Sequence, residues 1–252
     1  LQQQYANNSI PEPAYVAQTS QLAGRIAALR SSVNDTADAV RAAGVDPPGL
    51  EQLSERPEVY NQVVHEIFSN AQAIWDYSRE NRDFLSEKGF SACHVPLGYH
   101  PALEQIPFTD NKRDIDVLFF GSIQDRRRPL LQQLHHDPAI RFEALFGIYG
   151  KKRDAVIARS KIVLNVHAYE QKIFEAVRVS YLLNNGCFVV SEESPLYPWE
   201  GVDLPLVPFD KLFDTCVYFL NDQEARQRRA RECCEAFAQR YAMTSILERV
   251  LE

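Results

Sequence analysis

The sequence predicts an α/β protein, a Rossmann-like parallel sheet domain from about Arg113 onward preceded by a mostly helical N-terminal region. Three observations carry this reading. Short runs rich in Val, Ile, Leu and Phe alternate with helical stretches over residues 113–252, the order a parallel sheet covered on both faces requires. The first of these runs ends in a glycine turn that leads into a helix. Over the first 60 residues, by contrast, apolar side chains recur at helical spacing.

The stretch Gln18 to Val45 places Leu22, Ile26, Leu29, Val33 and Val40 on one helical face, and Asp46-Pro47-Pro48-Gly49 ends it. A second helix is expected from about Pro57, with Val59, Val63, Ile67 and Phe68 on one side. The apolar segment Ala71 to Trp75 has strand character. Asn81 to Lys88 reads as a helix closed by Gly89, which stands where a left-handed C-cap is wanted. From His94 to Pro107 three prolines and Gly98 interrupt regular structure, so residues 95–112 are assigned to a linker between a helical region 1–94 and a domain 113–252. Within that domain, strands are expected at 115–120, 142–146, 161–166, 187–191 and 204–207, with helices at 128–135, 153–159, 173–184 and 211–221. The end of the chain, from Gln223, is charged and helical with no further strand.

Composition narrows the classes of function. The 252 residues, 45% hydrophobic and 24% charged, are enough for a sizeable core. No run approaches the roughly 20 apolar residues of a membrane span. The polar opening Leu1-Gln2-Gln3-Gln4 lacks the layout of a signal peptide, and a cytoplasmic protein is expected. A net charge of −7 repels the nucleic-acid backbone, so no nucleic-acid partner is expected. The five cysteines form no CxxC pair and have no histidine at zinc-finger spacing, so reduced thiols and no metal site are expected, with Cys187 a core residue.

In an open parallel sheet, ligands bind beyond the carboxyl ends of the strands, where helix N-termini turn their free N–H groups toward an anion. Gly121-Ser122 stands at such a place: glycine lets the backbone approach a diphosphate and the hydroxyl donates a hydrogen bond. Arg126, Arg127 and Arg128 follow; at most one is expected to reach a phosphate, with Arg126 the candidate, and the others read as solvated charges at a helix start. A second constellation is Asn165-Val166-His167-Ala168-Tyr169-Glu170, followed by Phe174-Glu175-Ala176-Val177-Arg178. A strand ends there in polar and aromatic side chains, and a helix begins with Glu175 in its first turns, where a carboxylate can accept both hydroxyls of a ribose. Two plainer readings stand beside this: Glu175 as a carboxylate favoured by the helix dipole, and His167 as a hydrogen-bonded core histidine.

The run from Phe174 to Arg178, and then Asn185-Gly186-Cys187-Phe188-Val189-Val190-Ser191, resembles the C-terminal half of glycosyltransferases with the GT-B fold, particularly the group-1-like enzymes of bacteria and large viruses. Trp75-Asp76-Tyr77-Ser78 with Asn81, and Val95-Pro96-Leu97-Gly98-Tyr99-His100-Pro101, look like the end of the N-terminal domain and the crossing peptide of the same proteins. The resemblance covers roughly Pro57 to the C-terminus. It implies that Glu175 holds the donor ribose, that Gly121 and Ser122 lie against the diphosphate, and that Phe146-Gly147 lies near the base. Arg126, Tyr169, Lys172, Phe174 and Arg178 complete the candidate donor-binding set; Lys172 and Arg178 also have the spacing of ordinary surface residues.

Two departures limit the carry-over. Many retaining members place a second Glu eight residues before the ribose-binding one, and His167 stands there instead. Residues 1–94 are also shorter and more helical than a full acceptor-binding Rossmann domain. By resemblance the function is transfer of a sugar from a nucleotide-sugar donor to a glycan, lipid or protein acceptor, with no cofactor required. His167 is the catalytic candidate, beside His100 and Asp76, for a base acting on the acceptor hydroxyl. The alternative is a non-catalytic module that keeps the fold to bind a nucleotide or a partner; an epimerase of similar shape fits less well, because it needs a complete second domain.

Overall fold

The computed structural model describes residues 65, 68–108, 113–123, 125–170 and 172–251. The chain divides into two compact units, Leu1–Gln72 and Ala73–Glu252. In the first, His65, Phe68 and Ser69 are helical; the helix expected from Gln18 and the rest of the one expected from Pro57 lie outside the described residues.

The second unit opens with a small parallel βαβ: β1 (Ile74–Asp76), α1 (Arg79–Glu87) and β2 (Ala92–His94), with Trp75 opposite Cys93. Helix α1 starts where Ser78 Oγ accepts a hydrogen bond from the Asn81 amide at 3.1 Å, an N-cap. Strand β2 was not expected from the sequence: Ala92-Cys93-His94 is too short to show a period and contains no β-branched residue.

The stretch expected as a linker is bound closely within this unit. The Trp199 indole donates to Leu97 O at 2.9 Å, and Tyr99 exchanges backbone hydrogen bonds with Tyr241 and Met243. Asn184 Oδ1 accepts from the His100 amide, and Asn185 Oδ1 accepts from the amides of Gln105 and Ile106 at 2.7 and 2.8 Å. The Asn-Gly pair that the sequence marks as a helix end therefore does a second job: Gly186 takes the left-handed turn (φ +63°), while the two asparagines fasten the crossing segment.

A five-stranded, wholly parallel sheet follows: β3 (Ile115–Phe120), β4 (Phe142–Leu145), β5 (Ser160–Asn165), β6 (Val189–Glu192) and β7 (Leu206–Val207), in the order β4-β3-β5-β6-β7. Strands β3, β5 and β6 are buried on both faces, as their near-continuous apolar sequences demand. Leu118, Val163 and Val189 point to one side, where α4 (Ala176–Asn184) and α6 (Gln223–Arg240) pack with Trp199 and Phe237. Val117, Phe119, Ile162, Leu164 and Val190 point to the other, against α2 (Arg128–His136) and α5 (Leu212–Asn221). Helix α3 (Gly150–Ala158) links β4 to β5, and α7 (Met243–Leu251) ends the described chain. Cys187 lies in the core as expected, where burial pushes its thiol up to about 12. No described helix is long and apolar enough to cross a membrane.

One boundary shift matters for the site. The helix expected from Ile173 begins at Ala176, because Lys172 takes a left-handed backbone (φ +50°) and the Ala176 amide turns back to Phe174 O at 2.8 Å. Glu175 is thus the N-cap residue of α4 rather than a member of its first turn.

Candidate functional site

Because the sheet is parallel, the carboxyl ends of β3, β4, β5 and β6 lie along one edge, and each releases a segment the sequence singles out: Gly121-Ser122, Phe146-Gly147, Val166-His167 and Glu193-Ser194. The helices that follow β3, β4 and β5, namely α2, α3 and α4, all start without a side-chain cap. Their N-termini face this edge, although the Ala176 amide of α4 is taken by Phe174 O and the second residue of α2, Pro129, has no N–H to offer.

Glu175 stands at the start of α4, where the helix dipole favours a carboxylate, but its side chain makes no cap hydrogen bond. Its carboxylate turns inward instead. Oε1 accepts from Arg127 Nη2 at 3.0 Å, while Oε2 receives Asn165 Nδ2 at 3.1 Å and faces His167 Nδ1 at 2.8 Å. Burial alone would raise the Glu175 carboxyl's pKa; the hydrogen bond and charge of His167, with the charge of Arg178 and the Asn165 amide, outweigh it and hold the group below its usual range.

His167 is wholly buried, and its Nε2 faces the Glu193 carbonyl at 3.2 Å. Both ring nitrogens therefore face oxygen acceptors, and in this arrangement neither is free to take a proton from an acceptor hydroxyl. That is the geometry of the hydrogen-bonded core histidine, here placed against the candidate ribose-binding carboxylate.

Arg127 ties the two sequence constellations together. Its guanidinium donates to Val166 O (Nε at 2.9 Å, Nη2 at 2.6 Å), to Ser122 O at 2.9 Å and to Glu175, so the glycine turn after β3 and the segment after β5 share one cation. Its neighbour Arg126 instead grips Glu192 through both carboxylate oxygens and also reaches His167 O. Glu192 is completely buried at the end of β6 and receives a further hydrogen bond from the His167 amide.

Arg178 differs from both. It donates from Nη1 to the neutral Asn165 amide oxygen at 3.0 Å and lies over the Phe120 ring, and among the described residues no carboxylate is within ion-pair distance. Desolvation lowers its pKa, against the nearby charge of Glu175. Gly121 makes room for it: with φ +143°, its backbone suits glycine, and a Cβ there would stand 2.9 Å from Arg178 Nη2.

The structure thus brings together Gly121, Ser122, Arg126, His167, Glu175 and Arg178. It does not bring the rest into the cluster. Phe146 and Gly147 lie beyond β4 on the same edge, with Phe146 largely exposed. Tyr169 is also exposed, and Lys172 turns to the rim, 3.5 Å from Glu193 Oε1. Phe174 sits in the core with its ring edge-on to Tyr197 and Trp199. Three further residues belong to the cluster: Arg127, buried rather than a solvated charge at a helix start, Asn165 and Glu192, none of them given a binding role from the sequence. For the last two there is a signal, since each is the polar last residue of its strand.

Against known proteins, the chain matches no family model. Two uncharacterized proteins of Acanthamoeba polyphaga mimivirus are similar to it. One is 27% identical over 59% of this chain and 51% of its own length; the other is 29% identical over 64% and 58%. The chain thus spans little more than half the length of these relatives. Among solved structures, TarM superposes with a TM-score of 0.57 at 11% identity, over 77% of this chain and 45% of TarM. Sucrose-phosphate synthase from Thermosynechococcus elongatus superposes with a TM-score of 0.54 at 14% identity, over 80% and 62%. A variant of S. aureus TarM in complex with fondaparinux, alpha-GlcNAc-glycerol and UDP gives 0.56 at 10% identity. These likenesses define the class of the fold: mixed α/β with a five-stranded parallel sheet, GT-B-like.

Proposed function

We propose that this chain carries the donor-binding half of a glycosyltransferase and takes a nucleotide-sugar at the carboxyl edge of the five-stranded sheet. The observation that carries the reading is the convergence of Glu175, Arg178 and the Gly121 turn on one side of β3 and β5, with uncapped helix starts around them. A nucleoside diphosphate leaving group gains negative charge as the glycosidic bond breaks. Fixed N–H dipoles and a guanidinium without a carboxylate partner stabilise that charge more in the transition state than in the ground state. In this reading Arg178 and the start of α4 face the diphosphate, and Glu175 Oε1, which among the described residues accepts from Arg127 alone, accepts from the ribose. His167 acts as a positioning residue that holds Glu175 rather than as the base. A TarM structure holding UDP on the same fold supports a nucleotide ligand. The acceptor is a glycan, a lipid or a protein, and the chemistry requires no cofactor.

The test is a thermal-shift panel with UDP, GDP, ADP, CMP, dTDP and their common sugar conjugates, repeated on Glu175→Ala. A nucleotide at a hundredfold excess over its Kd stabilises the folded chain by about 2.7 kcal/mol. One nucleotide should raise the melting temperature of the wild type and not of the variant. A panel with no shift favours the non-catalytic module.

A further inference from the structure

A second place in the Ala73–Glu252 unit has the chemistry of a ligand site. A cavity of about 710 Å³ lies between α1 with β2 and the chain's last two helices, and Arg79, Arg240 and Arg249 all line it. Among the described residues none of the three has a carboxylate within ion-pair distance, whereas Arg126, Arg127, Arg141, Arg153 and Arg159 each have one. Arg249 bonds only a carbonyl of its own helix. The one carboxylate in the wall is Glu200. His94 adds no positive charge at neutral pH, because burial, with Arg79 and Arg82 nearby, lowers its pKa. The wall therefore carries a net charge of about +2 in a chain whose net charge is −7, so the positive sign is local to this cavity.

The same wall also carries Pro96, Pro198, Ile246 and the ring of Tyr241. A second cavity of about 620 Å³ adjoins the first, sharing Arg79, His94, Pro198 and Glu200 with it, and its far end is lined by Ile173, Phe174 and Ala176, the residues on either side of Glu175. Through these shared residues the two cavities reach from the arginines to Ile173, Phe174 and Ala176.

We infer that this groove binds a sugar or polyol bearing a phosphate group, with the phosphate held by Arg79, Arg240 and Arg249 and the hydroxyl-bearing part directed along the second cavity toward Ile173 and Ala176. Guanidinium forks match the oxygens of a phosphate, and the apolar wall suits the carbon face of a sugar. That this ligand is the acceptor rests on the transferase reading; the oxyanion site itself does not.

The test is calorimetric titration of the 252-residue chain with glucose 6-phosphate, glucose and inorganic phosphate, repeated on the double variant Arg79→Ala, Arg249→Ala and on Arg128→Ala, an exposed arginine that lines neither cavity. Both arginines are exposed and unpaired, so the double variant should melt close to the wild type. The wild type should bind glucose 6-phosphate about tenfold or more tighter than either glucose or phosphate, the double variant should lose that margin, and Arg128→Ala should keep it. Equal binding by the double variant, no binding of glucose 6-phosphate by about 10 mM, or equal affinity for inorganic phosphate would overturn the proposal. If the nucleotide panel fails while glucose 6-phosphate binding is retained and depends on the arginines, the transferase reading falls and the oxyanion site stands.

Discussion

The two edges of the five-stranded sheet use the same residue types and end in opposite states. At the amino edge, Asp116 accepts four hydrogen bonds: Arg141 through its amide, Nε and Nη2, each at 2.9 Å, and Lys161 Nζ at 2.7 Å. Beside it Asp114 and Arg159 form a two-pronged pair at 2.8 and 2.6 Å. There, among the described residues, Asp116 and Asp114 are paired with Arg141, Lys161 and Arg159. At the carboxyl edge Glu192 and Glu175 answer Arg126 and Arg127, but Arg178 is left with a neutral amide, next to helix starts that lack caps. A closed network holds strands in register; an unbalanced one of the same chemistry has an open valence for an anion.

The largest expected effect separates holding from binding within the carboxyl edge. Arg126→Ala leaves Glu192 buried without its guanidinium, and should cost about 3 kcal/mol, the low end for a broken buried pair because Lys172 stands 4.0 Å away. Arg178→Ala should cost no more than about 1 kcal/mol, because no buried carboxylate loses its partner. Chemical denaturation of both variants measures the difference; equal losses would mean that the carboxyl edge is as structural as the amino edge.

Acid should unfold the protein chiefly through the saturated edge. Burial raises the pKa of Asp116, but Arg141 and Lys161 more than reverse this and hold it well below the usual carboxylate range. A carboxylate with a depressed folded pKa contributes stability that is full above its unfolded value near 4 and is lost as pH falls further. Asp116→Asn should therefore remove roughly 1–2 kcal/mol at pH 7, discounted for the solvent that reaches Arg141 and Lys161, and flatten the stability curve below about pH 4. Denaturation midpoints between about pH 2 and 7 read this out, and an unchanged acid limb in Asp116→Asn would refute it.

The smallest stability effects concern glycines. Gly89→Ala meets open space and pays only for φ +87°, about 1 kcal/mol. Gly121→Ala should cost a similar amount in stability, yet it also pushes the Arg178 guanidinium aside and should abolish any nucleotide-induced rise in melting temperature. A rise that survives in Gly121→Ala would separate Arg178 from the ligand.

Much of this was legible in the sequence. The strands β3 to β7 and their helices could be read because buried parallel strands are continuous apolar runs, and their order places Gly121, His167 and Glu175 at one sheet edge without further information. Side-chain direction could not be read. Arg126 and Arg127 are adjacent and identical in type, and only the turn before α2 decides that the second faces Glu175 while the first faces Glu192. Phe174 looked like a donor contact, but a local turn aims its ring at Trp199. The arginine cavity was invisible for a different reason: Arg79, Arg240 and Arg249 are far apart in the chain and meet only because α7 returns to β2.

The most direct test of the contrast between the edges is the nucleotide panel on Arg178→Ala and Arg141→Ala side by side. The nucleotide that stabilises the wild type should stabilise Arg141→Ala equally and leave Arg178→Ala unshifted. An undiminished shift in Arg178→Ala, or its loss in Arg141→Ala, would contradict the assignment of the ligand to the carboxyl edge.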